Sequence, residues 1–127
     1  MSGSLNKIMY VEDEPDIQAI AKLALEAVGG YNVMVCSSGQ EALQKVNDFE
    51  PDLFLLDVMM PEMDGPTTLM ELRKLDKFDE TPALFLTAKV MPSEIDRFKS
   101  IGALDVIAKP FDPMSLAAQI QKIWDNR

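Results

Sequence analysis

The stretch Leu53-Phe54-Leu55-Leu56-Asp57-Val58-Met59-Met60-Pro61-Glu62-Met63-Asp64-Gly65 decides the fold. Its first four residues are apolar without polar alternation, the habit of a strand buried on both faces in a parallel sheet. Pro61 and the Asp64-Gly65 pair then stop the strand and open a loop. Asp57 is thereby placed at the carboxyl end of a central strand, the edge where open α/β sheets gather ligands and chemistry. A carboxylate there is a metal ligand or a nucleophile, and this stretch alone leaves both open.

Working outward, strand and helix patterns alternate along the whole chain. Ile8-Met9-Tyr10-Val11 is a short apolar run ended by Glu12-Asp13-Glu14-Pro15. Ile17, Ile20, Ala21, Ala24 and Val28 then recur at helical spacing, with Gly29-Gly30 as the stop. Val33 to Cys36 reads as the second strand. Ser38 and Glu41 form a capping box for a helix whose apolar face is Ala42, Leu43, Val46 and Phe49. Pro66 opens a third helix running to about Leu75. Ala83 to Leu86 is the fourth strand and ends at Thr87, and a weaker helix spans Ser93 to about Ile101. Asp105 to Ala108 is the fifth strand, ending at Lys109-Pro110. Asp112 is expected to cap the last helix, with Pro113 at its first position and Leu116, Ala117, Ile120, Ile123 and Trp124 facing inward. Strict β/α alternation predicts a parallel sheet with helices on both faces, joined by right-handed crossovers.

The 127 residues suffice for one domain with its own core, and no linker or low-complexity tract divides them. Hydrophobic content of 47% places the chain among ordinary globular proteins. A net charge of −9 argues against binding a nucleic-acid backbone, which needs clustered Lys and Arg, and suits divalent cations or a basic partner surface. Cys36 is the only cysteine and lies in an apolar run, so it reads as a buried structural thiol; without an internal disulfide, a reducing cytoplasm is expected. The amino-terminal stretch Met1 to Lys7 has neither a basic segment nor a long apolar one, so no secretory leader is read, and nothing approaches a membrane span. Histidine is absent, which removes His-dependent triads and His-ligated zinc. The nine methionines read first as core filling.

In a parallel sheet the residues after each strand converge on one edge. Here they are Glu12 and Asp13, Asp57, Thr87 and Lys109; the second strand contributes only Ser37-Ser38. With strand order 2-1-3-4-5, the flavodoxin-like arrangement, the switch point falls between the first and third strands, where the carboxylates are. Two unit charges about 4 Å apart repel by about 4 kcal/mol at an effective dielectric of roughly 20. An all-oxygen acidic site of this kind calls for a hard divalent cation, Mg²⁺ before zinc or copper. Lys109 and Thr87 add an ammonium and a hydroxyl, a combination suited to a phosphoryl group whose charge spreads over three oxygens. Asp57 would be the nucleophile that accepts it as an acyl phosphate.

Val11-Glu12-Asp13, Asp57 with Met60-Pro61-Glu62-Met63-Asp64-Gly65, Thr87-Ala88 and Lys109-Pro110-Phe111 stand in order, each after its own strand. On these motifs the chain resembles a response-regulator receiver domain, in the manner of chemotaxis regulators, over nearly its whole length. The resemblance implies one doubly wound (βα)5 domain over residues 1–127, with no output domain in this chain. It implies that Asp57 takes a phosphoryl group from a phosphohistidine on a sensor histidine kinase or phosphotransfer protein. Asp13, Asp57 and the Met59 backbone carbonyl would bind Mg²⁺, or Mn²⁺ in its place, with Glu12 acting through water. Lys109 and the Ala88 backbone would steady the phosphoryl group, Thr87 would close onto it and report it, and Lys109-Pro110 would be a cis peptide. An output protein or domain would read the change, and a dimer formed on phosphorylation is allowed. Val106 departs from the pattern: an aromatic switch residue is usual there, and valine has no ring to swing.

The simpler readings are a helix-dipole role for Glu12 and Asp13, which suffices for Glu14 and Asp16; an Asp-Gly turn role for Asp64; and a cap role for Asp112. An Asp-nucleophile phosphatase is the rival enzyme reading. Such enzymes place a second acid two residues after the nucleophile, where this chain has Met59. A binding module that works unphosphorylated is a third.

Overall fold

The computed structural model describes residues 4–127; the first three residues of the stretch screened for a leader lie outside the described residues. Five strands, β1 (Lys7–Val11), β2 (Asn32–Cys36), β3 (Leu53–Asp57), β4 (Ala83–Thr87) and β5 (Asp105–Ala108), alternate with α1 (Pro15–Leu23), α2 (Gly39–Phe49), α3 (Gly65–Arg73), α4 (Pro92–Ser100) and α5 (Leu116–Asp125). All neighbouring strands are parallel and lie in the order β2-β1-β3-β4-β5. This is the (βα)5 flavodoxin-like arrangement expected from the alternation.

The two faces of the sheet carry two cores, and strand periodicity assigns them. Ile8, Tyr10, Leu53, Leu55, Leu84 and Leu86 face Ala21, Leu25, Leu116 and Ile120 of the helices on one side. Met9, Val11, Phe54, Leu56 and Phe85 face Ala42, Val46, Leu69, Leu72 and Phe98 on the other. Because β3 is buried at every position, it had to be apolar throughout, which is what made its sequence legible. Phe98 of α4 stands edge-on to Phe85 of β4, ring centroids 5.0 Å apart, and the Arg97 guanidinium lies 4.8 Å from the Phe98 centroid. Among the described residues no helix is long and apolar enough to cross a membrane.

Several local expectations change. Ile20 and Val28 are about half exposed, and Leu25 takes the buried place instead. For Val28 the cause is a π-helical turn over Ala24–Val28 that continues α1; its wider winding rotates Val28 outward. The turn ends at Gly29, where a Cβ would lie 2.7 Å from that of Ala117 on α5, so only glycine admits this approach. Ser38 caps α2 as expected, accepting from the Glu41 N–H at 3.1 Å, but the Glu41 carboxylate returns to the N–H of Ser37 rather than Ser38. Asp64 is the N-cap of α3, accepting from the Thr67 N–H at 2.8 Å, and so does more than shape an Asp-Gly turn. Residues 113–115 form turns, and α5 begins only at Leu116. Asp112 therefore caps the approach to the helix, accepting from the Met114 N–H at 3.0 Å, and Pro113 lies outside it. A 3₁₀ turn, Asp76–Phe78, follows α3 and was not foreseen. Here Arg73 donates to the carbonyls of Phe78 (2.9 Å), Thr81 (2.5 Å) and Gly102 (3.3 Å), tying the end of α3 to the turn before β5.

Candidate phosphoacceptor site at the strand ends

β1 and β3 pair in register from Ile8↔Leu53 to Val11↔Leu56, so one further step puts Glu12 beside Asp57. Both carboxylates share the sheet face of Tyr10 and Leu55, and both are buried, Glu12 completely and Asp57 with 4% exposure. Asp13 is half-buried beside them, and one carboxylate oxygen from each of Glu12, Asp13 and Asp57 lies within 4.8 Å of the others. From the end of β5, Lys109 brings its ammonium to 2.9 Å from Asp57 Oδ1 and 3.1 Å from Glu12 Oε1. Its backbone N–H donates to the Thr87 carbonyl at 2.9 Å, which locks the ends of β4 and β5 together, and the Lys109–Pro110 peptide is cis.

One lysine does not neutralise three carboxylates. Burial raises the Asp57 carboxyl above the usual range against the lowering effect of Lys109. Burial, then the Asp57 charge, raises Glu12 in the same direction. Burial alone would lower Lys109, but its bonds to Asp57 and Glu12 leave it raised, so it stays an ammonium. Three hard oxygen donors at this spacing, with excess negative charge, fit a hard divalent cation. The donor set holds no sulfur or imidazole to favour a softer metal.

Asp57, Met59, Thr87, Ala88, Lys109 and Pro110 line an open cleft of about 440 Å³. The structure thus gathers the expected carboxylates, lysine and threonine at one edge. The Thr87 hydroxyl accepts from the Lys89 N–H at 3.1 Å, which holds it against its own loop. Val106 is half-buried, pairs with Phe85 across β4 and β5, and packs with the Phe98 core. The Met59 side chain is 75% exposed and gives the site no acid. Gly65 passes so near the site that a Cβ would sit 2.4 Å from the Asp57 carbonyl oxygen, which explains glycine at the start of α3. Cys36, its thiol pushed up to about 12 by burial, is an inert core residue.

Two contributors were missed from the sequence. Tyr10 donates its hydroxyl to Glu12 Oε1 at 3.3 Å, and the Glu14 N–H donates to Glu12 Oε2 at 3.3 Å. The first had a signal: a tyrosine two residues before a carboxylate on one strand shares its face.

The comparisons agree with this geometry. A model of the response regulator receiver domain matches residues 8–121. The transcriptional regulatory protein CpxR of Escherichia coli is 40% identical over 121 residues, covering 94% of this chain and 49% of the relative. The alkaline phosphatase synthesis transcriptional regulatory protein PhoP of Bacillus subtilis is 39% identical over 119 residues, covering 92% and 48%. The chain thus spans about half the length of these curated relatives. Among solved structures, the chemotaxis protein CheY4 of Vibrio cholerae superposes with a TM-score of 0.86 at 30% identity, covering 94% of this chain and 99% of that one. A CheY-like response regulator receiver domain protein from Methanospirillum hungatei gives 0.82 at 28%, covering 97% and 96%. With its strand order, its acidic cluster beside Lys109 and a family match over most of its length, this chain belongs to the response regulator receiver domains of two-component signalling.

Proposed function

We propose that Asp57 accepts a phosphoryl group from a phosphohistidine of a sensor histidine kinase or phosphotransfer protein. The observation that carries this is the buried Asp57 carboxylate, held 2.9 Å from Lys109 at the mouth of an open cleft, with Glu12 and Asp13 beside it. A carboxylate oxygen attacks phosphorus, the P–N bond breaks, and its electron pair leaves on the imidazole, which takes up a proton. The product is an acyl phosphate on Asp57. Asp13, Asp57 and the Met59 carbonyl would hold Mg²⁺, with Glu12 behind them; when bound, the cation offsets the charge of carboxylates and phosphoryl oxygens. Lys109 stabilises the equatorial charge that remains, together with the Ala88 backbone. The chain thus catalyses its own phosphorylation and, by attack of water on the acyl phosphate, its own dephosphorylation, without turning over a free substrate.

Thr87 leaves the Lys89 N–H to donate to a phosphoryl oxygen, and the segment from Thr87 to Met91 shifts with it. Without a ring at Val106, that loop and α4 transmit the change to the face made by α4, β5 and α5. This face carries a hollow of about 450 Å³ bordered by Leu104, Val106, Lys122, Ile123 and Arg127. An output protein or domain, or a second copy, would engage there, in a cytoplasmic setting.

Incubation with Mg²⁺ and acetyl phosphate, followed by intact mass, should show one added phosphoryl group, lost on brief treatment with alkali or hydroxylamine and absent in Asp57→Asn. An adduct that persists in that variant refutes the assignment. Sustained turnover of free phosphomonoesters would favour the phosphatase instead.

A further inference from the structure

Resting on that reading of the Asp57 site, we infer that Tyr10 is a positioning residue that aims the Glu12 carboxylate at the cation. The Tyr10 ring is wholly buried in the core that also holds Leu25, Leu55 and Leu116, so its hydroxyl is a fixed point. Glu12 is also wholly buried but has a longer, more pliant side chain, and the fixed hydroxyl decides where it goes.

The acceptor count sharpens this. A carboxylate oxygen has two lone-pair positions. Tyr10 (3.3 Å) and Lys109 (3.1 Å) fill both on Glu12 Oε1, and the Glu14 N–H (3.3 Å) takes one on Oε2. Glu12 is left with a single open acceptor position, on Oε2. That position leaves room for one further partner on the side of Asp13 and Asp57, such as a water held by the cation. Tyr10 also satisfies Glu12 with a neutral donor, so Lys109 remains shared with Asp57 rather than drawn wholly to Glu12.

Groups standing behind metal ligands typically change metal affinity by about 10- to 100-fold when removed. Tyr10→Phe deletes only the hydroxyl. Calorimetric titration with Mg²⁺ of the unphosphorylated protein should show binding weakened about 10-fold. In a Glu12→Gln background the same replacement should change affinity less than about 2-fold, because the partner it acts through is altered. A merely structural role would weaken binding equally in both backgrounds, and that result, or unchanged affinity of Tyr10→Phe, overturns the proposal. Should the variant fail to melt cooperatively, the unmodified protein supplies the test. The Tyr10 ring resonances should shift with Mg²⁺ along the calorimetric curve, and a ring unmoved at saturation overturns the inference. Asp57→Asn separates the two levels: lost binding there with unaltered Tyr10→Phe sinks only the Tyr10 role, whereas wild-type affinity in Asp57→Asn sinks the cation site itself.

Discussion

Replacing Asp57 by Asn should stabilise the protein without Mg²⁺ and leave it less stable than the parent with Mg²⁺. Asp57 lies within 4.8 Å of both Glu12 and Asp13, so each repulsion is worth at least about 3.5 kcal/mol at an effective dielectric of roughly 20. Its attraction to Lys109 at 2.9 Å is worth about 6 kcal/mol on the same scale. The two repulsions together outweigh the attraction by about 1 kcal/mol, and relief of the buried charge works in the same direction. For a chain of this size that corresponds to a melting point roughly 3–5 °C higher for Asp57→Asn in EDTA. Saturating Mg²⁺ at about 100 times its dissociation constant adds about 2.7 kcal/mol to the parent, enough to invert the order. The pH dependence follows the same charges. Glu12 and Asp57 are raised in the folded state, which therefore holds more protons than the unfolded chain as these groups titrate. Their contribution is fully present below the ordinary carboxylate range and is lost as pH rises through the raised values, so EDTA melts should fall across that window, less so in Asp57→Asn. Thermal melts at pH 8 with EDTA and with Mg²⁺ test this. A variant less stable than the parent in EDTA, or an order unchanged by Mg²⁺, refutes the electrostatic account.

Gly65→Ala should destabilise by about 1–3 kcal/mol, since its Cβ meets the Asp57 backbone and not a yielding side chain; denaturant unfolding checks this, and slower phosphorylation by acetyl phosphate should accompany it. Arg73→Met keeps much of the apolar stem but strips three carbonyls of their charged donor, a loss of roughly 2–4 kcal/mol by the same measurement. Faster amide exchange should be concentrated near Phe78, Thr81 and Gly102.

The sheet was legible because β3 and β4 are buried on both faces and could be built only from apolar residues, with polar residues starting where the strands stop. The convergence of Glu12, Asp13, Asp57, Thr87 and Lys109 followed from strand direction alone. Less legible were features set by packing between elements. The π-turn that expels Val28 depends on how closely Gly29 approaches Ala117 across the chain. The Asp64 cap and the delayed start of α5 depend on backbone geometry that propensity does not fix. Tyr10 is harder to read because its ring satisfies the core pattern, and only its place two residues before Glu12 on one strand puts hydroxyl and carboxylate on the same face.

The Phe98–Phe85 contact gives α4 a mechanical character. Phe98 is the one fully buried side chain of that helix, and it lies near the carboxyl end, while Val90 and Met91 at the other end are exposed. In the readout proposed above, the helix acts as a lever held at Phe98, with its other end joined to the loop that carries Thr87. From Phe98 to Pro92 the arm is about 9 Å long. A tilt of about 10° would move its tip by roughly 1.5 Å while the aromatic pivot stays seated. A movement of that size needs no cavity to open and no ring to change places, which is the kind of stroke a chain with valine at position 106 can make.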